Sequence, residues 1–143
     1  MKVIVDASVI VEIERRNEEA TLVMKKLVER GHEILISTVT ISEILAGPYL
    51  RKDFKKSLES AKSILGQFLW IDMDAEIAEK TAQYIAYLVA EGKIIQYQDI
   101  AIAATFRETD ADYLLTFNSD HFERLPDLKG KVFTPVEFAK ILK

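Results

Sequence analysis

The chain has no cysteine. That excludes disulfides, thiolate metal sites and cysteine nucleophiles, and it fits a cytoplasmic protein. Histidine occurs only twice, so an imidazole-rich metal cluster is excluded as well. No apolar run approaches the roughly 20 residues that a membrane helix needs. One Lys followed by a strand pattern at the N-terminus is no signal peptide, so no membrane role is expected. There is no repeat, no low-complexity tract and no linker long enough to divide the chain, and residues 1–143 read as a single domain. Nor is there an excess of positive charge. With 23 acids against 19 bases the net charge is -4. A protein that held nucleic acid by its overall field would be basic. Such a role here must rest on local basic patches, a metal or a basic partner.

What is present is an alternation. Short β-branched or aliphatic runs recur at Val3–Val5, Ile34–Ile36, Phe68–Ile71, Tyr113–Leu115 and Lys131–Phe133. Segments of helical period lie between them. Short continuous apolar runs suit a parallel sheet buried on both faces. Strands alternating with helices indicate an α/β domain with right-handed crossovers. Ile77, Thr81, Tyr84, Ile85, Leu88 and Val89 form one helical stripe that ends near Gly92. Thr134-Pro135-Val136-Glu137 has the form of a capping box with proline at the first helical position. Gly47-Pro48 is expected to stop a helix that begins near Val39. RKDFKKSLESAKSIL, between Tyr49 and Gly66, reads as a basic amphipathic helix, and Phe122–Lys131 as a polar loop. Trp70 and the phenylalanines are expected in the core.

Acids stand at the junctions of these elements. Asp6 ends the first strand run, and Glu43 lies shortly after the second, in STVTISEILAG. Asp99 is in the first turn of QDIAIAATFRE, and Asn118 and Asp120 follow the strand YLLT. Each has a purely structural reading. Asp6 suits an N-cap. Thr40-Ile41-Ser42-Glu43 has the form of a capping box. Asp99 gains from the helix dipole, and Asn118 and Asp120 are ordinary turn residues. The set says more than its members. Strand-to-helix turns of a parallel sheet share one edge, where ligand sites form. Capping would be served equally by Ser or Thr, so acids at these places indicate a need for charge.

Two carboxylates ~5 Å apart at an effective dielectric near 20 repel by roughly 3 kcal/mol. A hard divalent cation relieves that cost. Oxygen-only ligands suit Mg²⁺ or Mn²⁺, and such an ion lets an acidic site receive a phosphate polyanion.

The order Val-Ile-Val-Asp6-Ala-Ser8, then Ser42-Glu43-Ile-Leu, then Asp99-Ile-Ala-Ile-Ala-Ala, then Leu-Leu-Thr116-Phe-Asn118-Ser-Asp120-His-Phe122 resembles the PIN-domain ribonucleases. In size and spacing it is similar to the VapC-type toxins of toxin–antitoxin pairs. The resemblance spans nearly the whole chain. It implies a five-stranded parallel sheet flanked by helices on both faces. It also implies Mg²⁺- or Mn²⁺-dependent endonucleolytic hydrolysis of RNA, leaving a 5′-phosphate and a 3′-hydroxyl. Asp6, Glu43 and Asp99 match the family's three main acids, expected as metal ligands. Ser8 matches a small polar position beside the first acid, and Thr116 a supporting hydroxyl. The fourth acid is where the chain departs. Many relatives have Asp at the place of Asn118, others an acid nearer the Phe, so Asn118 or Asp120 is expected to complete the site. A homodimer and a cognate antitoxin are implied by the same resemblance.

The basic residues Arg15, Arg16, Arg51, Lys52, Lys55, Lys56 and Lys62 are candidates for holding RNA, or simply solvated helix faces. His32 sits in a Gly-His turn and His121 beside an aromatic; both read as structural rather than as bases. Apolar residues on more than one side of AQYIAYLVAEG suit a partner surface. Rival readings remain. A haloacid-dehalogenase-like hydrolase wants Asp-x-Asp after the first strand, where this chain has Asp6-Ala7-Ser8. A receiver domain wants paired acids there, and a Lys after a later strand. An inactive PIN-like interaction module is favoured by Asn118, and a housekeeping RNA-processing nuclease would keep the same chemistry.

Overall fold

The computed structural model describes residues 1–143. Five parallel strands form one sheet: β1 (Lys2–Val5), β2 (Glu33–Ser37), β3 (Leu69–Ile71), β4 (Tyr113–Leu115) and β5 (Val132–Phe133). Their spatial order is β3-β2-β1-β4-β5. Eight helices connect and follow them. They are α1 (Ala7–Glu14), α2 (Glu18–Glu29), α3 (Thr38–Tyr49), α4 (Phe54–Leu65), α5 (Ala75–Ala90), α6 (Tyr97–Glu108), α7 (Ser119–Glu123) and α8 (Pro135–Ile141). The α/β architecture and all five expected strand runs are present, with ends shifted by a residue or two.

The apolar runs are continuous because each strand is covered twice. Val3 and Val5 of β1 point into a core with Ile10, Val23, Leu27 and Phe138, from α1, α2 and α8. Ile4 points the other way, to Leu88, Ile102 and Leu114. β2 and β4 alternate in step, Ile34 and Ile36 against Leu35, and Leu115 against Leu114. Alternate residues of a strand face opposite sides of the sheet, so a two-faced sheet requires apolar residues at every position. Helices α1 to α4 and α8 cover one face; α5, α6 and α7 cover the other.

Local signals behave as their chemistry dictates. α5 stops at Gly92, whose φ is +66°, with Lys93 N–H donating to Leu88 O and Gly92 N–H to Val89 O. That is the glycine-closed helix end. The Thr134–Glu137 capping box is formed in both directions.

Five expectations are corrected. Thr40–Glu43 is no capping box: Ser37 caps α3 directly, its Oγ accepting from Val39 N–H at 3.1 Å, and Glu43 lies inside the helix. The strand residue Ser37 doubles as the cap, so the helix starts at once. α3 also runs through Pro48 to Tyr49. A residue before proline resists helical geometry because of its Cβ, and Gly47 has none. Phe122–Lys131 is not simply a polar loop. Phe122, Leu125 and Leu128 recur every third residue, across α7 and a 3₁₀ turn at Pro126–Leu128, and are fully buried. Trp70 is 48% exposed, because β3 is an edge strand; its indole N–H donates to Leu65 O at 2.9 Å. Phe54 is likewise exposed, at the start of α4.

Candidate active site

Strand order changes direction between β1 and β4: the chain runs outward from β1 to β2 and β3, then returns to β4 on the other side. The carboxyl ends of strands at such a point form a crevice. Asp6 leaves β1 there, and Thr116 leaves β4 beside it. Asp6 N–H donates to Leu115 O at 3.2 Å, extending the ladder by one residue.

Asp6 is only 3% exposed, and its carboxylate accepts three hydrogen bonds, one fewer than its lone pairs allow. Oδ1 accepts from Ser8 N–H at 3.1 Å and from Ser8 Oγ at 2.6 Å. Oδ2 accepts from Thr116 Oγ1 at 2.7 Å. Both hydroxyl oxygens in turn accept backbone donors, Ser8 Oγ from Phe117 N–H and Thr116 Oγ1 from Asn118 N–H, each at 2.9 Å. An oxygen that receives an N–H turns its own hydrogen elsewhere, here to Asp6. The turn after β4 is thus folded around the Asp6 carboxylate. Asp6 is the cap of α1, but an N-cap needs only one such contact.

Burial raises the Asp6 pKa. Hydrogen bonds from Ser8 and Thr116 pull it back, Asp99 repels it upward, and the Val9 backbone lowers it. Glu43, in the second turn of α3, is also raised, by burial first, then by Asp99 and then by Asp6. Its carboxyl remains open to solvent and has no hydrogen-bond or ion-pair partner. Asp99 is in the first turn of α6, a helix buried continuously from Ile100 to Phe106 and packed against α3. Its side chain is 14% exposed. The three acids therefore come from β1, α3 and α6 and repel one another across one crevice. No lysine or arginine pairs with any of them. No three Asp, Glu or His side chains close on a common point as tightly as metal ligands do. The donor chemistry, carboxylate oxygen with no lysine or arginine beside it, fits a hard divalent cation.

Neither Asn118 nor Asp120 makes a side-chain hydrogen bond to these acids; both are exposed, at the start of α7. The residue of that turn that reaches the acids is His121, whose Nδ1 lies 3.0 Å from Asp99 Oδ2. Sequence reasoning set His121 aside. The available signal was the next residue, Phe122, whose burial fixes the direction of α7.

A groove of about 580 Å³ leads away from Glu43 between α1, α3 and α4. Of the basic candidates, Arg15, Arg51 and Lys56 line it; Arg16, Lys52, Lys55 and Lys62 do not. Glu14 and Asp53 temper its charge, and Glu14, itself raised by burial, is pulled back by Arg51. A larger cavity of about 850 Å³ opens at the opposite edge of the sheet, among Met1, Asp112, Tyr113 and Lys131, away from the acids.

The PIN domain model matches residues 3–128. The chain is 30% identical over 126 residues to Ribonuclease VapC19 of Mycobacterium tuberculosis, covering 88% of this chain and 96% of the relative. A chain in the crystal structure of VapBC2 from Rickettsia felis, bound to a DNA fragment from their promoter, superposes with a TM-score of 0.84. It is 21% identical, over 94% of this chain and 98% of that one. A chain of FitAcB from Neisseria gonorrhoeae gives 0.77 at 26% identity, over 94% and 98%. The fold, the motif order and the matched span lead to one conclusion: the chain belongs to the PIN-domain family, and within it its likeness is to the VapC proteins.

Proposed function

We propose that residues 1–143 act as one domain, a divalent-metal-dependent endoribonuclease and the toxin of a toxin–antitoxin pair, working in the cytoplasm. The observation that carries this is the buried Asp6, held by two hydroxyls and repelled by Asp99, with no cationic side chain to relieve it. Asp6, Glu43 and Asp99 would hold Mg²⁺ or Mn²⁺. Such an ion offsets their mutual repulsion, lowers the pKa of water and stabilises charge developing on the phosphate. Ser8 and Thr116 keep the Asp6 carboxylate from turning. Asp120, exposed at the start of α7, takes the proton of the attacking water, and Asn118 orients that water. Oxygen from water adds to phosphorus as the bond to O3′ breaks, and O3′ takes a proton from solvent, leaving a 5′-phosphate and a 3′-hydroxyl. Arg15, Arg51 and Lys56 give the RNA backbone its positive contacts along the groove beside Glu43.

The likeness to VapC19, named a ribonuclease, supports the RNA substrate. The superposition on chains solved as VapBC and Fit assemblies supports an antitoxin partner. Ile85, Val89 and Ile94, 37%, 73% and 89% exposed, supply apolar surface for a second copy of the chain. A housekeeping RNA-processing role would keep the chemistry; an antitoxin-like gene beside this one decides for the toxin.

Asp6→Asn, Glu43→Gln and Asp99→Asn are the test, each assayed on structured RNA with Mg²⁺. Each is expected to abolish cleavage while leaving a folded protein, and variants that cleave like the parent overturn the assignment. Asn118 favours a second reading, an interaction module without cleavage, because it is neutral where many relatives carry an acid. A parent that binds RNA and yields no product with either ion decides for that reading.

A further inference from the structure

Asp6 and Asp99 meet across the crevice, yet they are held by different means. Asp6 has Ser8 and Thr116. Asp99 has one polar side-chain partner only, the imidazole of His121, with Nδ1 at 3.0 Å from Oδ2. No other hydrogen bond and no lysine or arginine reaches its carboxylate. Repulsion from Asp6 and Glu43 favours rotation of the Asp99 side chain out of the crevice. A donor on one oxygen opposes that rotation and leaves the second oxygen free. The backbone at His121 is held in place, because the adjoining Phe122 is buried completely and Leu125 anchors the following turn.

We infer that His121 is a positioning residue: through hydrogen bonding from Nδ1 it holds the Asp99 carboxylate in the crevice, oriented for a divalent cation. An ionised carboxylate has only acceptors, so the hydrogen of this contact belongs to Nδ1. Partners of this kind fix the orientation of a metal-ligating group, and losing one costs about 10- to 100-fold in affinity. The side chain of His121 is 41% exposed, which places the effect at the lower end, about tenfold. The inference rests on the proposed reading of Asp99 as a ligand.

Two measurements test it. In the metal-free parent, long-range ¹H–¹⁵N correlation reads the protonation of each ring nitrogen, and with only two histidines the His121 signals are identified by their loss on substitution. Nδ1 is expected to carry hydrogen; a bare Nδ1 overturns the inference. Mn²⁺ affinity is then measured by electron paramagnetic resonance of the free ion, for the parent and for His121→Ala, His121→Asn and His121→Gln. Alanine is expected to weaken binding about tenfold. Asparagine, whose amide nitrogen sits where Nδ1 does, is expected to restore it, and glutamine, one bond longer, is not. Alanine equal to the parent, or asparagine no better than alanine, overturns the inference. Metal-free melting curves report folding separately. A parent that takes up no Mn²⁺ and leaves RNA uncut overturns the nuclease reading itself. A parent that binds and cuts, with His121→Ala equal to it, overturns only the role of His121.

Discussion

Glu43→Gln is expected to make the protein more stable without metal and less stable with it. The side chain keeps its shape and loses its charge. Glu43 has no donor to lose, so the change removes only cost: partial burial and repulsion from Asp99 and Asp6. Carboxylates about 6 Å apart at an effective dielectric near 20 repel by roughly 3 kcal/mol. Because the Glu43 carboxyl is open to solvent, screening reduces the gain to about 1 kcal/mol. For a chain of this size that is about 3 °C in melting temperature. An ion that binds only the folded site works in the opposite direction. At about tenfold excess over its dissociation constant it adds roughly 1.4 kcal/mol, or about 4 °C, to the parent. The variant, missing one of the proposed ligands, is expected to gain little. Scanning calorimetry with chelator and with millimolar Mg²⁺ should therefore show the order of the two melting temperatures reverse. In high salt the metal-free gap should shrink. If glutamine lowers the metal-free melting temperature, or both proteins gain equally from Mg²⁺, the picture of three mutually repelling acids is wrong.

Three further outcomes are expected. An acid whose folded pKa lies above its unfolded value contributes fully below the unfolded pKa, and that contribution is lost as pH rises through the folded one. Asp6 and Glu43 start from 3.8 and 4.5 and are both raised, so metal-free stability should decline as pH climbs from about 4. Glu43→Gln should show a shallower decline in urea titrations across this range; an equal one refutes the shift. Thr116→Val strips Asp6 of one donor and Asn118 N–H of its acceptor in a fully buried place, costing about 1–3 kcal/mol, whereas Thr116→Ser should melt near the parent. Tyr84→Phe removes a 2.7 Å hydrogen bond to Asp127 far from the acids. A loss of about 0.5–1.5 kcal/mol with unchanged RNA cleavage is expected, and reduced cleavage would mean that the two edges of the sheet are coupled.

The sheet was legible because it is buried on both faces. A strand covered twice reads as a bare apolar run, and Val3–Val5 could hardly be anything else. Legibility failed where a residue's surroundings come from other parts of the chain. Trp70 reads as core and lies on an edge, because neighbours in space decide which strand is outermost. Pro48 reads as a stop, yet the missing Cβ of Gly47 lets the helix continue. Phe122, Leu125 and Leu128 are dispersed among polar residues, and only their three-residue spacing betrays a buried side. Within the crevice, Asp6 stood out because it interrupts an apolar run. Glu43 was picked out by its place in the order of acids, although its immediate surroundings read as a capping box that the earlier helix start makes irrelevant. His121 was invisible as a neighbour of Asp99, since 22 residues separate them and the contact depends on how α7 packs.

Asp6 and Thr116 are joined by a hydrogen bond across 110 residues of chain. A polypeptide still on the ribosome carries Asp6 through the making of the next 110 residues before the hydroxyl that steadies it exists. Connectivity thus sets the order in which the crevice is assembled: the steadied carboxylate waits for the far end of β4, and a product cut short before Thr116 never acquires it.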